Sequence, residues 1–246
     1  MKISIITVCF NSERTIEKTL KSVAFQTYCN IEHIVFDGNS TDKTVDIVKK
    51  FKHISILESK KDNGVYFALN NAMNVATGDI IALLHADDFY YNEFVVEQIV
   101  STFEQNNIDV IYADLQYVSQ DNKVVRYWKA GHFEPKKLFF GWMPPHPTIF
   151  FKTEVLKKIG GFDTNFKISA DYDWILRVFN CQEIKIAYLP QVVVNMTIGG
   201  LSNGSLKNIF LKSKEDFLAI KKNNIGNFFT LIFKNFRKIS QFYKRP

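Results

Sequence analysis

Cysteine is scarce and scattered: Cys9, Cys29 and Cys181 are all that 246 residues contain, and no two form a CxxC pair. That excludes a disulfide framework and a thiolate metal site, and it points to a reducing compartment. No apolar run approaches the roughly 20 residues that span a bilayer. The start, MKISIITVCFN, has one lysine and a short apolar run ended by Asn11, so it reads as a first strand and not as a secretion signal. The N-x-S/T triplets opened by Asn39, Asn195 and Asn203 are then chance matches. Zinc-finger spacing, RRM aromatic motifs and a basic recognition helix are missing as well, which argues against nucleic acid as a partner. Internal repeats and low-complexity segments are not evident.

What is present is a large apolar fraction, 46%, enough for one large domain or a domain with an appendage. The net charge of +6 is concentrated at one end: residues 207–246 hold 10 of the 31 basic side chains and only Glu215 and Asp216 of the 25 acidic ones. That tail places Phe228, Phe229, Ile232, Phe233, Phe236, Ile239 and Phe242 among Lys234, Arg237, Lys238, Lys244 and Arg245. Such a stretch either packs on the domain or a second subunit, or lies on an anionic membrane surface.

The first half alternates two periodicities. ISIITV (3–8), IEHIVF (31–36), ISIL (54–57) and DIIALL (79–84) read as short strands. Between them ERTIEKTLKSVAFQ (13–26), DKTVDIVKKF (42–51) and VYFALNNAMNVA (65–76) read as helices. Apolar strands alternating with amphipathic helices imply an α/β fold with a mostly parallel sheet covered on both faces. A helix near 92–106 and strands at 109–113 and 123–128 follow; the Pro- and aromatic-rich 130–147 reads as an irregular, functional loop.

Ligands of such sheets bind beyond the carboxyl ends of the strands. The polar groups there are CFN (9–11), DGNSTDKT (37–44) and HADD (85–88), which gather Asp37, Asp87 and Asp88 on one rim. Adjacent carboxylates repel unless a helix N-terminus, water or a cation compensates them. Oxygen ligands without a nearby cysteine favour Mg2+ or Mn2+, which typically take one or two carboxylates and complete the shell with substrate phosphates. Asp37 suits an N–H of a nucleobase. In KISADYDWILRVF (167–179), Asp171 and Asp173 begin an apolar-periodic helix, either as dipole partners or, for Asp171, as a general base brought to the Asp88 site by the fold. His85 reads as packing. His146, in MPPHPTIFF, punctuates a proline loop or serves the acceptor, and Gly199 and Gly200 form a turn or a closing loop.

SIITVCFN, DGNSTDKT, ATGDIIALLHADD, GGFD and ADYDWILR stand in the order and approximate spacing of family 2 inverting glycosyltransferases with the GT-A fold, and the resemblance covers roughly residues 3–200. It implies a Rossmann-like three-layer GT-A domain over 1–204, with a nucleotide-binding part to about 115, an acceptor-binding part over 116–204, and a helical tail over 205–246. It further implies that Val8, Phe10, Asp37 and Asp87 bind the donor, that Asp88 ligates Mn2+ or Mg2+, and that Asp171 is the catalytic base. His146 matches a histidine near the acceptor or metal. Ala170 stands where a Glu often precedes the base, Phe67 where an Asp is frequent and Ala72 where a Gly is frequent, which alters the expected donor-sugar contacts.

The implied donor is a nucleotide sugar, UDP-linked ahead of GDP- or dTDP-linked, and the acceptor a saccharide or lipid-linked saccharide of a bacterial surface polysaccharide or glycolipid. The implied location is the cytoplasm, with the tail at the inner face of the plasma membrane. Two rival readings are a sugar nucleotidyltransferase, against which no GxGxRxxP-like start is found, and a non-catalytic carbohydrate- or membrane-binding protein with a degenerate transferase domain.

Overall fold

The computed structural model describes residues 1–198, 206–237 and 241. β1 (Ile3–Cys9), α1 (Ile16–Ala24), β2 (Ile31–Asp37), α2 (Thr44–Val48), β3 (Ile54–Ser59), α3 (Val65–Val75) and β4 (Ile80–Leu83) alternate as the periodicities predict. All seven residues of β1 are buried, as a central strand covered on both faces requires. It pairs in parallel with β2 on one side and β4 on the other. Successive side chains alternate between two cores: Ile3 and Ile5 join the cluster beneath α4 (Val95–Gln105), while Ile6 and Val8 join the cluster beneath α3.

The second half closes the sheet with mixed pairing. β5 (Asp88–Tyr90), β6 (Val110–Val118), β7 (Val124–Trp128), β8 (Phe150–Lys152) and β9 (Ile186–Thr197) extend it in the order β3-β2-β1-β4-β8-β6-β9-β5, with β7 beside β6. Between them lie α5 (Pro135–Phe139), a 3-10 turn at His146–Thr148, α6 (Thr153–Ile159) and α7 (Ala170–Phe179). The sequence reading misses β5 and β9, and it leaves α5 inside an irregular loop. β9 carries Pro190, which has no N–H for a ladder. The sheet absorbs it in a bulge: Ala113 faces Leu189 and the next residue, Asp114, faces Val192, so Pro190 and Gln191 have no partner in the register.

The GGFD stretch now has a structural account. Gly160 adopts φ +79°, the left-handed conformation that ends α6. Gly161 lies so close to the Asn70 side chain that a Cβ would collide with it. The close approach lets Asn70 donate to Phe162 O at 2.9 Å and accept from Phe162 N–H at 2.8 Å, fastening α3 to the segment before α7.

The tail forms α8 (Leu206–Lys222) and α9 (Phe228–Arg237). One side of it packs: Ala219, Ile220 and Leu231 are core residues. Lys234, expected on a basic outer face, instead turns inward, where it pairs with buried Asp216 and stands 3.7 Å over the Tyr172 ring. Burial lowers its pKa, and the Asp216 carboxylate opposes that shift. Arg237 Nε donates to Phe140 O at 3.0 Å. Phe228, Phe229, Phe233 and Phe236 remain exposed. Among the described residues no helix is long and apolar enough to cross a membrane. Gly199, Gly200, Lys238, Ile239, Phe242, Lys244 and Arg245 lie outside the described residues.

Candidate active site

The rim begins with two loops stitched together. Asn11, at φ +48°, accepts from Thr41 N–H at 2.9 Å, and Asn11 N–H donates to Ser40 Oγ at 2.8 Å. Asp37, at the end of β2, is 2% exposed and already holds four donors: Ser40 N–H at 2.9 Å, the Ser40 hydroxyl, Ser59 Oγ at 2.6 Å and Cys9 Sγ at 3.6 Å. A carboxylate offers about four lone-pair sites, so a nucleobase N–H reaches Asp37 only by displacing one of these. Val8 is a core residue whose side chain stays behind the rim. Phe10, by contrast, is 54% exposed at the end of β1. Its ring would lie 3.4 Å from a Cβ placed on Gly38, so it stands directly over the turn that follows Asp37.

At the end of β4 the chain makes a tight turn, with Asp88 N–H bonded to His85 O at 3.0 Å. The adjacent carboxylates then part company. Asp87 stays half-buried, whereas Asp88 is 0% exposed and neither of its carboxyl oxygens has a hydrogen-bond partner. The cause is the register: Asp88 opens β5 opposite Met196, which faces Tyr117, which faces Arg126. Asp88 therefore shares the sheet face of Tyr117 and Met196, both packed against the cluster under α4. Burial, reinforced by the charge of Asp87, holds the Asp88 carboxyl well above the usual range. Asp88, the expected metal ligand, is thus fully buried, and Asp87 is the more accessible carboxylate of the two.

Asp87 faces different company. His85, taken in the sequence for packing, is depressed by burial, and the charges of both Asp87 and Asp171 oppose that shift. The His146 ring lies 6.0 Å from that of His85 and 5.6 Å from Phe162. Burial lowers His146 to about 4, with Asp171 opposing, and its Nε2 has no partner. Asp171, in the first turn of α7, takes a 3.3 Å hydrogen bond from the Tyr66 hydroxyl, whose shorter bond, 2.7 Å, goes to Ile168 O. Burial and the Asp171 charge push the Tyr66 phenol up, so it remains a donor.

The fold thus brings the rings of His85 and His146 together, with Asp87 two residues from His85, and Phe10 and Asp37 lie at the ends of the neighbouring strands β1 and β2. Tyr66 was not among the sequence candidates; its signal was its place in the helix after the motif Asp62-Asn63-Gly64. Among the described residues no three His, Cys, Asp or Glu side chains gather as a self-sufficient metal cage. A cation that shares its shell with a diphosphate needs only one or two protein ligands. The half-buried carboxylate of Asp87 is an oxygen ligand of the kind that suits Mn2+ or Mg2+.

The chain is similar to known proteins over most of its length. It is 30% identical over 215 residues to a PGL/p-HBAD biosynthesis glycosyltransferase of Mycobacterium tuberculosis, covering 85% of this chain and 82% of that protein. It is 33% identical over 190 residues to the glycosyltransferase Rv1514c of the same organism, covering 75% of this chain and 71% of the relative. Among solved structures, S. aureus TarS 1–349 in complex with UDP-GlcNAc superimposes with a TM-score of 0.71 at 19% identity, over 91% of this chain and 65% of that one. The mannosyltransferase PcManGT of Pyrobaculum calidifontis, in complex with GDP-Man and Mn2+, gives 0.66 at 19% identity, over 90% and 63%. This chain therefore spans less than two thirds of those solved chains, and at such identity the likeness is one of fold. The profile of Glycosyl transferase family 2 matches residues 4–165, and this chain belongs to that family.

Proposed function

We propose that this glycosyltransferase moves a sugar from a nucleoside diphosphate donor, UDP-linked before GDP- or dTDP-linked, to a hydroxyl of a saccharide or lipid-linked acceptor in surface polysaccharide or glycolipid synthesis, with inversion. The observation that carries this reading is the meeting of His85, in the turn that holds Asp87, with His146 at 6.0 Å between rings, while Asp171 at the start of α7 is held by the Tyr66 hydroxyl at 3.3 Å. Phe10 offers its exposed ring to the base, and Asp37 braces the loop beneath it. Asp171 takes the proton of the acceptor hydroxyl as that oxygen attacks the anomeric carbon. The new C–O bond forms as the bond to the diphosphate breaks on the opposite face, so no covalent enzyme intermediate is needed. A divalent ion held by Asp87 supplies charge neutralisation to the departing diphosphate when bound. TarS and PcManGT carry UDP-GlcNAc, and GDP-Man with Mn2+, in their crystals, which supports a nucleotide-sugar donor and a divalent ion here.

The test is a screen of UDP-glucose, UDP-galactose, UDP-N-acetylglucosamine, GDP-mannose and dTDP-glucose, with and without Mn2+, reading thermal shift and release of nucleoside diphosphate. One donor is expected to be hydrolysed with a requirement for metal. Formation of a nucleotide sugar from nucleoside triphosphate and sugar phosphate would instead favour the nucleotidyltransferase, and ligand binding without turnover would favour the degenerate domain.

The tail is read as the contact with the membrane that holds a lipid-linked acceptor. Its packed side leaves a ridge of exposed phenylalanines on α9, with the Phe233 ring tilted against that of Phe140 at 5.7 Å between centroids. Vesicles of phosphatidylglycerol are expected to sediment the protein, and Phe229→Ser with Phe236→Ser to release it. Equal sedimentation of the double variant would remove this reading.

A further inference from the structure

The first of the two tail helices touches the chemistry. Glu215, buried on α8, forms no ion pair among the described residues; its two carboxylate oxygens accept three consecutive backbone N–H groups: Lys167 at 3.0 Å on Oε1, and Ile168 at 2.8 Å and Ser169 at 3.0 Å on Oε2. Those residues lead directly into α7, whose N-cap, Ser169, makes no side-chain cap of its own. A carboxylate at a helix N-terminus is favoured by the orphan N–H groups and the dipole there. Here it comes from a different helix some 45 residues along the chain.

The peptide so held is fixed from both ends. Ile168 N–H goes to Glu215, and Ile168 C=O takes the Tyr66 hydroxyl, the same hydroxyl that reaches Asp171. Ser169 Oγ adds a 3.4 Å bond to Lys212 O, one turn earlier on α8. Burying a charge is costly unless it is hydrogen-bonded, and simple packing of α8 on α7 would be served by an apolar residue. The charge is directed at the peptide that sets where Asp171 begins its helix.

We propose that Glu215 is a positioning residue of the reaction: α8 completes the active site by clamping residues 167–169, which sets Asp171 against the acceptor. This rests on Asp171 being the base. It places part of the catalytic apparatus beyond the stretch that matches the family, residues 4–165, and makes the tail a working part of the site.

The test uses the full chain with Glu215→Ala and Glu215→Gln, beside Asp171→Asn. Hydrogen exchange of residues 167–169 is followed together with kcat and KM for the donor of the panel above that the wild type hydrolyses fastest. Displacing a base by ~1 Å costs on the order of 10²-fold. Glu215→Ala is accordingly expected to lower kcat by about 10²-fold at nearly constant donor KM, and to speed exchange at Lys167, Ile168 and Ser169 by at least about tenfold while β1 and β2 stay protected. Glu215→Gln keeps one carbonyl oxygen for Ile168 and Ser169 and is expected to fall between; it carries the test alone if the alanine variant does not fold. Unchanged kcat in the Glu215 variants, with Asp171→Asn inactive, overturns the proposal and leaves the base in place. Wild-type turnover by Asp171→Asn overturns both. A fall in kcat matched by an equal loss of donor affinity would mean a general loosening and also overturns it.

Discussion

Asp171→Asn is expected to reduce kcat by roughly 10²- to 10⁴-fold, the usual contribution of a positioned general base. The substitution is isosteric and removes proton affinity while keeping an oxygen for Tyr66, which is its hydrogen-bond donor in the fold. Melting temperature and donor KM should therefore stay close to wild type, since binding common to ground and transition states is untouched. The single-turnover rate with saturating donor is the measurement that checks it. A wild-type rate there would exclude Asp171 as the base.

Asp87 and Asp88 should separate sharply. Asp87→Ala is expected to weaken Mn2+ dependence and cut kcat by about 10² or more, comparable with removal of a single oxyanion-stabilising group. Asp88→Asn is expected to stay within the same order of magnitude as wild type, because the native carboxyl is fully buried and its pKa is held above the usual range by that burial. Its effect belongs to stability. In the unfolded chain an aspartate loses its proton near pH ~3.9. In the fold Asp88 retains its proton to higher pH, so the native state binds more protons in between. Stability then falls as pH rises through that window, by up to about 1.4 kcal/mol per unit. Asparagine removes this slope. Asp88→Asn should therefore gain on wild type in melting temperature as pH is raised above the ordinary aspartate range. Loss of metal-dependent turnover in Asp88→Asn, with Asp87→Ala active, would return the ligand role to Asp88.

The legible and illegible parts of this protein divide along physical lines. β1 to β4 and their helices were readable because each buried strand is nearly continuous in apolar residues and each crossover keeps a helical stripe. β9 was not, since Pro190 speaks against a ladder and only the bulge opposite Ala113 and Asp114 accommodates it. β5 hid in three residues. The DD pair was visible, but not its division of labour: Asp87 stays in the turn while Asp88 opens β5, and the face on which Asp88 is buried depends on a partner more than 100 residues away. Glu215 was invisible as a site residue because its partners are backbone N–H groups, which any sequence possesses.

The sheet order also sets a timetable. β5 lies at the end of the order beside β9 alone, and β9 wedges between it and β6. The parallel half can zip as it leaves the ribosome, each strand meeting one made shortly before. The HADD turn meets α1 early, through the Thr19 hydroxyl donating to Asp88 O at 2.7 Å, but the ladder of β5 must wait until residues 194–196 have been translated and threaded into the gap. Catalytic competence is then among the last properties a nascent copy acquires, and a prematurely terminated one would have much of the nucleotide half without a finished centre.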